Sequence, residues 1–110
     1  MIEDTLVSMV DRFNRHVQKT PGLMNEIKDL TRTIDICLTD GQDFRIFLKE
    51  GQLSMPSHQN GGRADVRITT DTSTFEGLVR KDIGPMKAIF TRKLVINASL
   101  EDKLLLRRLL

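Results

Sequence analysis

Leu6, Val10, Phe13 and Val17 recur at spacings of four, three and four, which places them on one face of a helix. The pattern predicts a helix over Ile2 to Lys19, stopped by Thr20-Pro21-Gly22. Leu23, Ile27 and Leu30 then predict a short amphipathic turn or helix. From Thr31 the period falls to two. Ile34, Ile36 and Leu38 alternate with Thr33, Asp35, Cys37 and Thr39, the signature of a half-buried strand. Asp40-Gly41 predicts a tight turn into a second strand, where Phe44, Ile46 and Leu48 alternate with Arg45, Phe47 and Lys49. Glu50-Gly51 leads to a short third strand with Leu53 and Met55 apolar, ended by Pro56. Ser57 to Arg63 reads as a loop, and Ala64, Val66 and Ile68 mark a fourth strand.

Helical signals then return. Ser73 and Glu76 have capping-box spacing, with Phe75, Leu78 and Val79 on one helical face. Gly84-Pro85 breaks the chain and starts a second short helix with Met86, Ile89 and Phe90 apolar. Leu94-Val95-Ile96 predicts a last strand. Ser99 caps a terminal helix from Leu100, with Glu101 and Asp102 at its start and Lys103, Arg107 and Arg108 toward its end, as the helix dipole prefers. The order of elements predicts an α+β fold: a mostly antiparallel sheet with helices packed on one face. Outward strand positions (Thr33, Asp35, Arg45, Lys49, Asp65, Arg67, Thr69) are polar, so the other face is expected to be wet.

The chain has 110 residues, which predicts one domain over 1–110 and excludes a two-domain enzyme with a cleft between domains. Apolar runs such as Leu104-Leu105-Leu106 are far short of the roughly 20 residues a spanning helix needs. The start Met1-Ile2-Glu3-Asp4 lacks the basic, then apolar, pattern of a signal peptide, and the lone cysteine, Cys37, makes no internal disulfide. The expectation is a soluble cytoplasmic protein.

Candidate chemistry is sparse. Cys37 lies on a polar strand face, His16 on the charged side of the first helix and His58 in a loop, with no spacing that links them as nucleophile and base or as metal ligands. Gly61-Gly62 leads into a strand, unlike a phosphate-binding loop, and Glu101-Asp102 is explained by its place at a helix start. No cofactor, metal or catalytic residue is expected. The doublets Arg80-Lys81, Arg92-Lys93 and Arg107-Arg108 read first as solvated element ends, and second as contacts to an anionic membrane or to a carboxylate at a pocket mouth. With net charge +2 and neither Trp nor Tyr, nucleic acid is not an expected partner. The remaining feature is apolar excess: Phe75, Leu78, Val79, Met86, Ile89, Phe90, Leu94, Ile96, Leu100, Leu104 and Leu105 crowd the last third of the chain. Periodicity alone leaves two readings open, a close-packed core or a cavity for an acyl chain.

The ordered set of these segments resembles the sterol carrier protein type 2 family. Ala64-Asp65-Val66-Arg67-Ile68-Thr69 matches its strand beginning Ala-Asp, and Gly84-Pro85-Met86-Lys87-Ala88-Ile89-Phe90 its short helix. Lys93-Leu94-Val95-Ile96 matches its Gly-Lys-Leu-x-Ile strand, and Phe44 to Gly51 its second strand and turn. The similarity runs from about Thr31 to Leu110. It implies a five-stranded sheet with an apolar tunnel under the helices, holding a sterol, fatty acid or acyl-CoA. Met86, Ile89 and Phe90 would line that tunnel from the short helix, Leu94 and Ile96 from the last strand, and Leu104 and Leu105 from the terminal helix. Phe75, Leu78 and Leu100 complete the candidate lining, and Arg92 or Lys93 would hold a headgroup. Two departures stand out: Arg92 replaces the family's common Gly, and Ala98-Ser99 replaces Gly with Asn or Asp. The end Arg108-Leu109-Leu110 is not a Ser-Lys-Leu peroxisomal signal, favouring a bacterial or archaeal form and a ligand other than sterol. The expected function is non-catalytic lipid binding or transfer. The alternative is a dimerisation or partner-enzyme module using the stripe Leu105-Leu106-Leu109-Leu110.

Overall fold

Helix α1 (Ile2–Gln18) buries Leu6, Val10 and Val17 completely, and packs Ile2, Met9 and Phe13 beside them half-buried. These coordinates come from a computed structural model that describes residues 2–58 and 62–109, with side chains up to Leu106. Gln59, Asn60 and Gly61 of the loop before the fourth strand, the side chains of Arg107, Arg108 and Leu109, and Leu110 lie outside the described residues. Pro21 opens α2 (Pro21–Ile27), whose missing amide hydrogen costs nothing in a first helical turn. Then come β1 (Thr31–Leu38), β2 (Asp43–Lys49), β3 (Gln52–Leu53), β4 (Val66–Thr70), α3 (Thr72–Val79), α4 (Pro85–Phe90), β5 (Leu94–Asn97) and α5 (Leu100–Leu109).

The strands form one sheet in the order β3-β2-β1-β4-β5. The β1/β4 pair is parallel and the other pairs are antiparallel. The register carries the sequence alternation across the whole sheet. Ile34 lies opposite Ile46 and Val66, Ile36 opposite Phe44 and Ile68, and Ile68 opposite Ile96. All of these point toward the helices. Leu6, Val10, Ile36, Leu38, Phe44, Ile46 and Phe75 form the larger apolar cluster. Val17, Ile27 and Leu48 form a second one at the other end of α1.

Local chemistry explains the junctions. Glu50 and Gly51 both adopt positive φ, as a two-residue hairpin between β2 and β3 requires. Gly51 is also buried against the Met24 thioether, so a Cβ there would collide with α2. Asn14 on α1 does what a further strand would do: its amide donates to the Leu53 carbonyl at 3.0 Å and its oxygen accepts from the Leu53 N–H at 2.8 Å. The short edge strand β3 is thereby tied to the helix layer.

Several expectations need correction. Asp71, not Ser73, caps α3: its carboxylate accepts from the Thr74 N–H at 2.7 Å and the Thr74 hydroxyl at 2.8 Å. Glu76 instead accepts from the Thr5 hydroxyl on α1. Met55 lies beyond β3 and Ala64 before β4. The polar sheet face is not uniformly wet, since Asp35 is only 5% exposed. The Arg45 guanidinium donates to its two carboxylate oxygens at 2.6 and 2.9 Å, and Arg67 approaches at 3.7 Å. Ser57, bridged to Arg45 through backbone hydrogen bonds, runs beside this cluster.

Hydrogen bonds from Arg45 hold the Asp35 carboxyl below its ordinary range, ahead of the opposing effect of burial. Asp40, accepting from the Thr72 N–H and hydroxyl, and Asp71, accepting from Thr74, are lowered as well. A carboxylate whose folded pKa is depressed stabilises the fold above its unfolded pKa and loses that contribution as pH falls through the folded value. Stability should therefore be flat near neutrality and decline below about pH 4, the unfolded carboxylate range. Asp35→Asn should lower the melting temperature at neutral pH and make the acid decline shallower. Thermal melts of both proteins from pH 7 downward check this; parallel curves would show that Asp35 is not a source of the slope.

Candidate functional site

The helices cover the sheet unevenly. Over β1, β2 and β3 the packing is closed by α1, α2 and α3. Over β4 and β5 it is only partly closed. Val66 and Leu94 are buried there, whereas the register partners Ile68 and Ile96 keep partial exposure. Helix α4 ends just before β5 begins, and α5 starts just after β5 ends. The two helices therefore adjoin β5 along the chain, and among the described residues Ile68 and Ile96 stay half-exposed.

The candidate residues divide accordingly. Phe75 is buried in the larger cluster with Ile36, Leu38 and Phe44. Leu94 is buried, and Leu78, Ile96 and Leu105 are half-buried. Leu105 packs against the cluster of Val17, Ile27 and Leu48. Met86 (66% exposed), Ile89 (41%), Phe90 (89%), Leu100 (74%) and Leu104 (52%) face outward. With Val95, six large apolar side chains are exposed in this one stretch among the described residues, more than scattered surface residues explain.

Helix α5 is held to the start of β1 and to the cluster at the end of α1 by two contacts that sequence periodicity did not reveal. The two carboxylate oxygens of Asp102, nearly buried, share the Arg32 Nε–H, each at 3.1 Å. Leu105 inserts one turn further on. The Ser99 hydroxyl accepts from the Asp102 N–H at 3.1 Å, the expected cap. Arg32 sits at the start of β1, seventy residues away from Asp102 along the chain, and no local pattern couples them.

Arg92 and Lys93 are exposed at the α4–β5 junction. Their backbone closes α4: the Lys93 N–H donates to the Ala88 carbonyl at 2.9 Å and the Arg92 N–H to the Ile89 carbonyl at 3.0 Å. This is a Schellman ending, which needs a left-handed residue, and Arg92 supplies it at φ 63°. The same ending closes α3, with Lys81 at φ 65° and Asp82 donating to the Gly77 carbonyl. Arg92 therefore occupies a backbone conformation that suits glycine, the residue expected there from the family resemblance. The Lys93 carbonyl also accepts from the buried Thr70 hydroxyl at 2.7 Å, which anchors the junction to β4.

The reactive side chains are dispersed. Burial and the adjacent Asp43 carboxylate push the Cys37 thiol up, away from the thiolate a nucleophile needs. His16 is on an exposed face of α1, and the His58 ring packs against Phe44 with centroids 4.9 Å apart. An open recess of about 440 Å³ beside His58 is lined by Gly41, Gln42 and Asp43. Among the described residues no group of three or more His, Cys, Asp or Glu side chains could hold a metal ion. No helix among them is long and apolar enough to cross a membrane.

Comparison with known proteins agrees with this architecture. The model of the SCP-2 sterol transfer family matches residues 10–110. The sterol carrier protein domain 2 of Helicoverpa armigera superposes with a TM-score of 0.66 at 17% identity, covering 96% of this chain and 84% of that one. A ubiquinone synthesis protein, UbiJ-SCP2, gives 0.66 at 14% identity, covering 94% and 86%. A stereoselective inverting sec-alkylsulfatase from a Pseudomonas species gives 0.62 at 16% identity; 78% of this chain is covered but only 13% of the sulfatase, so the chain spans a small part of that enzyme's length. No curated protein matches the sequence.

The two left-handed basic residues generate a stability prediction. A left-handed non-glycine residue costs roughly 1–2 kcal/mol, and glycine returns part of that through the freer unfolded chain, so the net gain is about 0.5 kcal/mol per site. Arg92→Gly and Lys81→Gly should each raise the melting temperature by about 2–4 °C. A fall at either position in a thermal melt would mean that the side chain makes a stabilising contact that offsets its strain.

Proposed function

The chain belongs to the SCP-2 sterol transfer family, and on that footing we propose that it is a non-catalytic carrier that binds an acyl chain or comparable apolar lipid between the β4–β5 half of the sheet and helices α4 and α5. Residues 1–110 form one such carrier domain, working in the cytoplasm. The observation that carries this reading is the uneven cover of the sheet: Ile68 and Ile96 remain partly exposed beneath helices whose apolar side chains point outward. A lipid chain laid along that strand pair would meet Ile68, Leu94 and Ile96 from the sheet, and would be covered on its open side only if α4 and α5 turned their outward Met86, Ile89, Leu100 and Leu104 toward it. Each methylene it buries contributes about 0.8 kcal/mol, so about ten methylenes yield roughly 8 kcal/mol before the entropy of association is subtracted. Burial alone drives uptake; Arg92 or Lys93 adds recognition of an acidic headgroup at the rim.

A second reading has its own support. The likeness to UbiJ-SCP2, a ubiquinone synthesis protein, together with the outward Leu100 and Leu104, fits a module that associates with a biosynthetic enzyme or with a second copy. Leu100→Ser combined with Leu104→Ser separates the two. Loss of self-association with fatty-acid binding intact supports the module; loss of fatty-acid binding supports the carrier.

Binding of a fluorescent fatty acid to the purified protein in vesicle-free buffer tests the carrier directly. Affinity should rise by roughly fifteenfold for every two methylenes added, until the apolar strand pair is filled. Ile96→Asp, which buries a carboxylate under the chain, should weaken binding by about tenfold or more. Absence of saturable binding across the chain-length series would overturn the carrier reading.

A further inference from the structure

We infer that α4 and its C-terminal turn form a docking surface for an anionic lipid bilayer. The proposal rests on the carrier reading for its purpose, since it supplies the place where an apolar ligand would enter or leave, but its geometry is independent of that reading. Phe90 and Met86 stand one helical turn apart and are 89% and 66% exposed. Ile89 projects beside them, while Ala88 on the opposite side is buried and fixes the helix to the body. Three cations surround this apolar tip: Lys87 on α4, Arg92 in the turn and Lys93 at the start of β5, all exposed. None of them makes an ion pair among the described residues.

Charge complementarity selects the occupant. Between Asp82 and Glu101 the sequence holds no acidic residue, and its basic residues there are Lys87, Arg92 and Lys93. The chain as a whole has 17 basic and 15 acidic residues, so this stretch carries +3 while the remaining 14 basic and 15 acidic residues sum to −1. The positive excess is thus concentrated where the large apolar side chains are exposed. A bilayer with acidic headgroups matches both features, taking the cations at headgroup level and Phe90, Met86 and Ile89 at the acyl boundary. The Schellman hydrogen bonds and the Thr70 contact to Lys93 hold the turn rigidly against β4, so the cations are presented without ordering a loop. From this tip the chain runs directly into Leu94 and Ile96, which makes it the short route from a membrane to the partly covered strand pair.

Co-sedimentation with vesicles of phosphatidylcholine alone, and of phosphatidylcholine mixed with phosphatidylglycerol, tests the inference at low and high salt. The wild-type chain should bind the mixed vesicles, bind phosphatidylcholine weakly, and release as salt rises. The combined variant Lys87→Gln, Arg92→Gln, Lys93→Gln should bind the mixed vesicles about a hundredfold more weakly, at roughly fivefold per cation. Phe90→Ser, at a side chain that is almost wholly exposed and so dispensable for folding, should weaken binding by about tenfold. Binding that ignores phosphatidylglycerol, or that survives both variants, would overturn the proposal. So would wild-type protein that ignores vesicles but self-associates through Phe90, which would assign the surface to a second copy. Fatty-acid uptake in vesicle-free buffer is read alongside: unchanged uptake with no vesicle binding rejects the docking surface alone, and loss of uptake in wild type rejects the carrier.

Discussion

Strand β1 lies between an antiparallel and a parallel neighbour, and both of its faces carry interactions that a one-residue slip would destroy. On one face Ile34, Ile36 and Leu38 seat the helices. On the other, Asp35 is held between Arg45 of β2 and Arg67 of β4. A slip would drive Asp35 under α1 and expose the isoleucines, so the same alternation that builds the core also fixes the register of the adjoining strands. The parallel β1/β4 pair is what lets the chain return on the far side of β1 and leave β5 as an edge. The half-exposed strand positions of the proposed carrier site lie on that later half.

Two apolar clusters fill the half of the sheet under α1, whereas the large apolar side chains of α4 and much of α5 face away from the other half. Helix α4 is six residues long, and α5 is attached through Leu105 and the Arg32–Asp102 pair. Such an arrangement leaves Ile68 and Ile96 half-exposed, apolar surface whose further burial would be favourable. The proposed lipid chain needs no specific polar chemistry there, in keeping with the scatter of Cys37, His16 and His58. The concentration of cations around the exposed Phe90 is the feature on which the proposed docking to an anionic bilayer rests.

Helix and strand positions were readable because their signals are local and repeated. The four-three-four spacing of α1, the alternation through β1 and β2, and Pro85 at the start of α4 each specify an element within a few residues. Element ends were less legible where several residues compete for one role. Asp71, Thr72, Ser73 and Thr74 all favour a helix start, and Asp71 wins because its carboxylate reaches both the N–H and the hydroxyl of Thr74. Asp35 looked like one more solvated strand position, because alternation records which face a residue points to and not what crosses over that face.

The sequence by itself determined the α+β class, the order of the elements, which strand positions face the helices and the crowding of apolar residues in the last third. These follow from periodicity and from turn and cap chemistry, all decided within a few residues. Only the tertiary structure decided how Asn14 ties down the edge strand, how Arg32 captures Asp102 across seventy residues, and that Arg92 is left-handed. It also separated apolar residues packed inside, such as Phe75 and Leu94, from those left facing outward, such as Phe90 and Leu100. Burial depends on how much surface the remaining helices can cover, which is a property of the whole assembly of elements and is not written in any one of them.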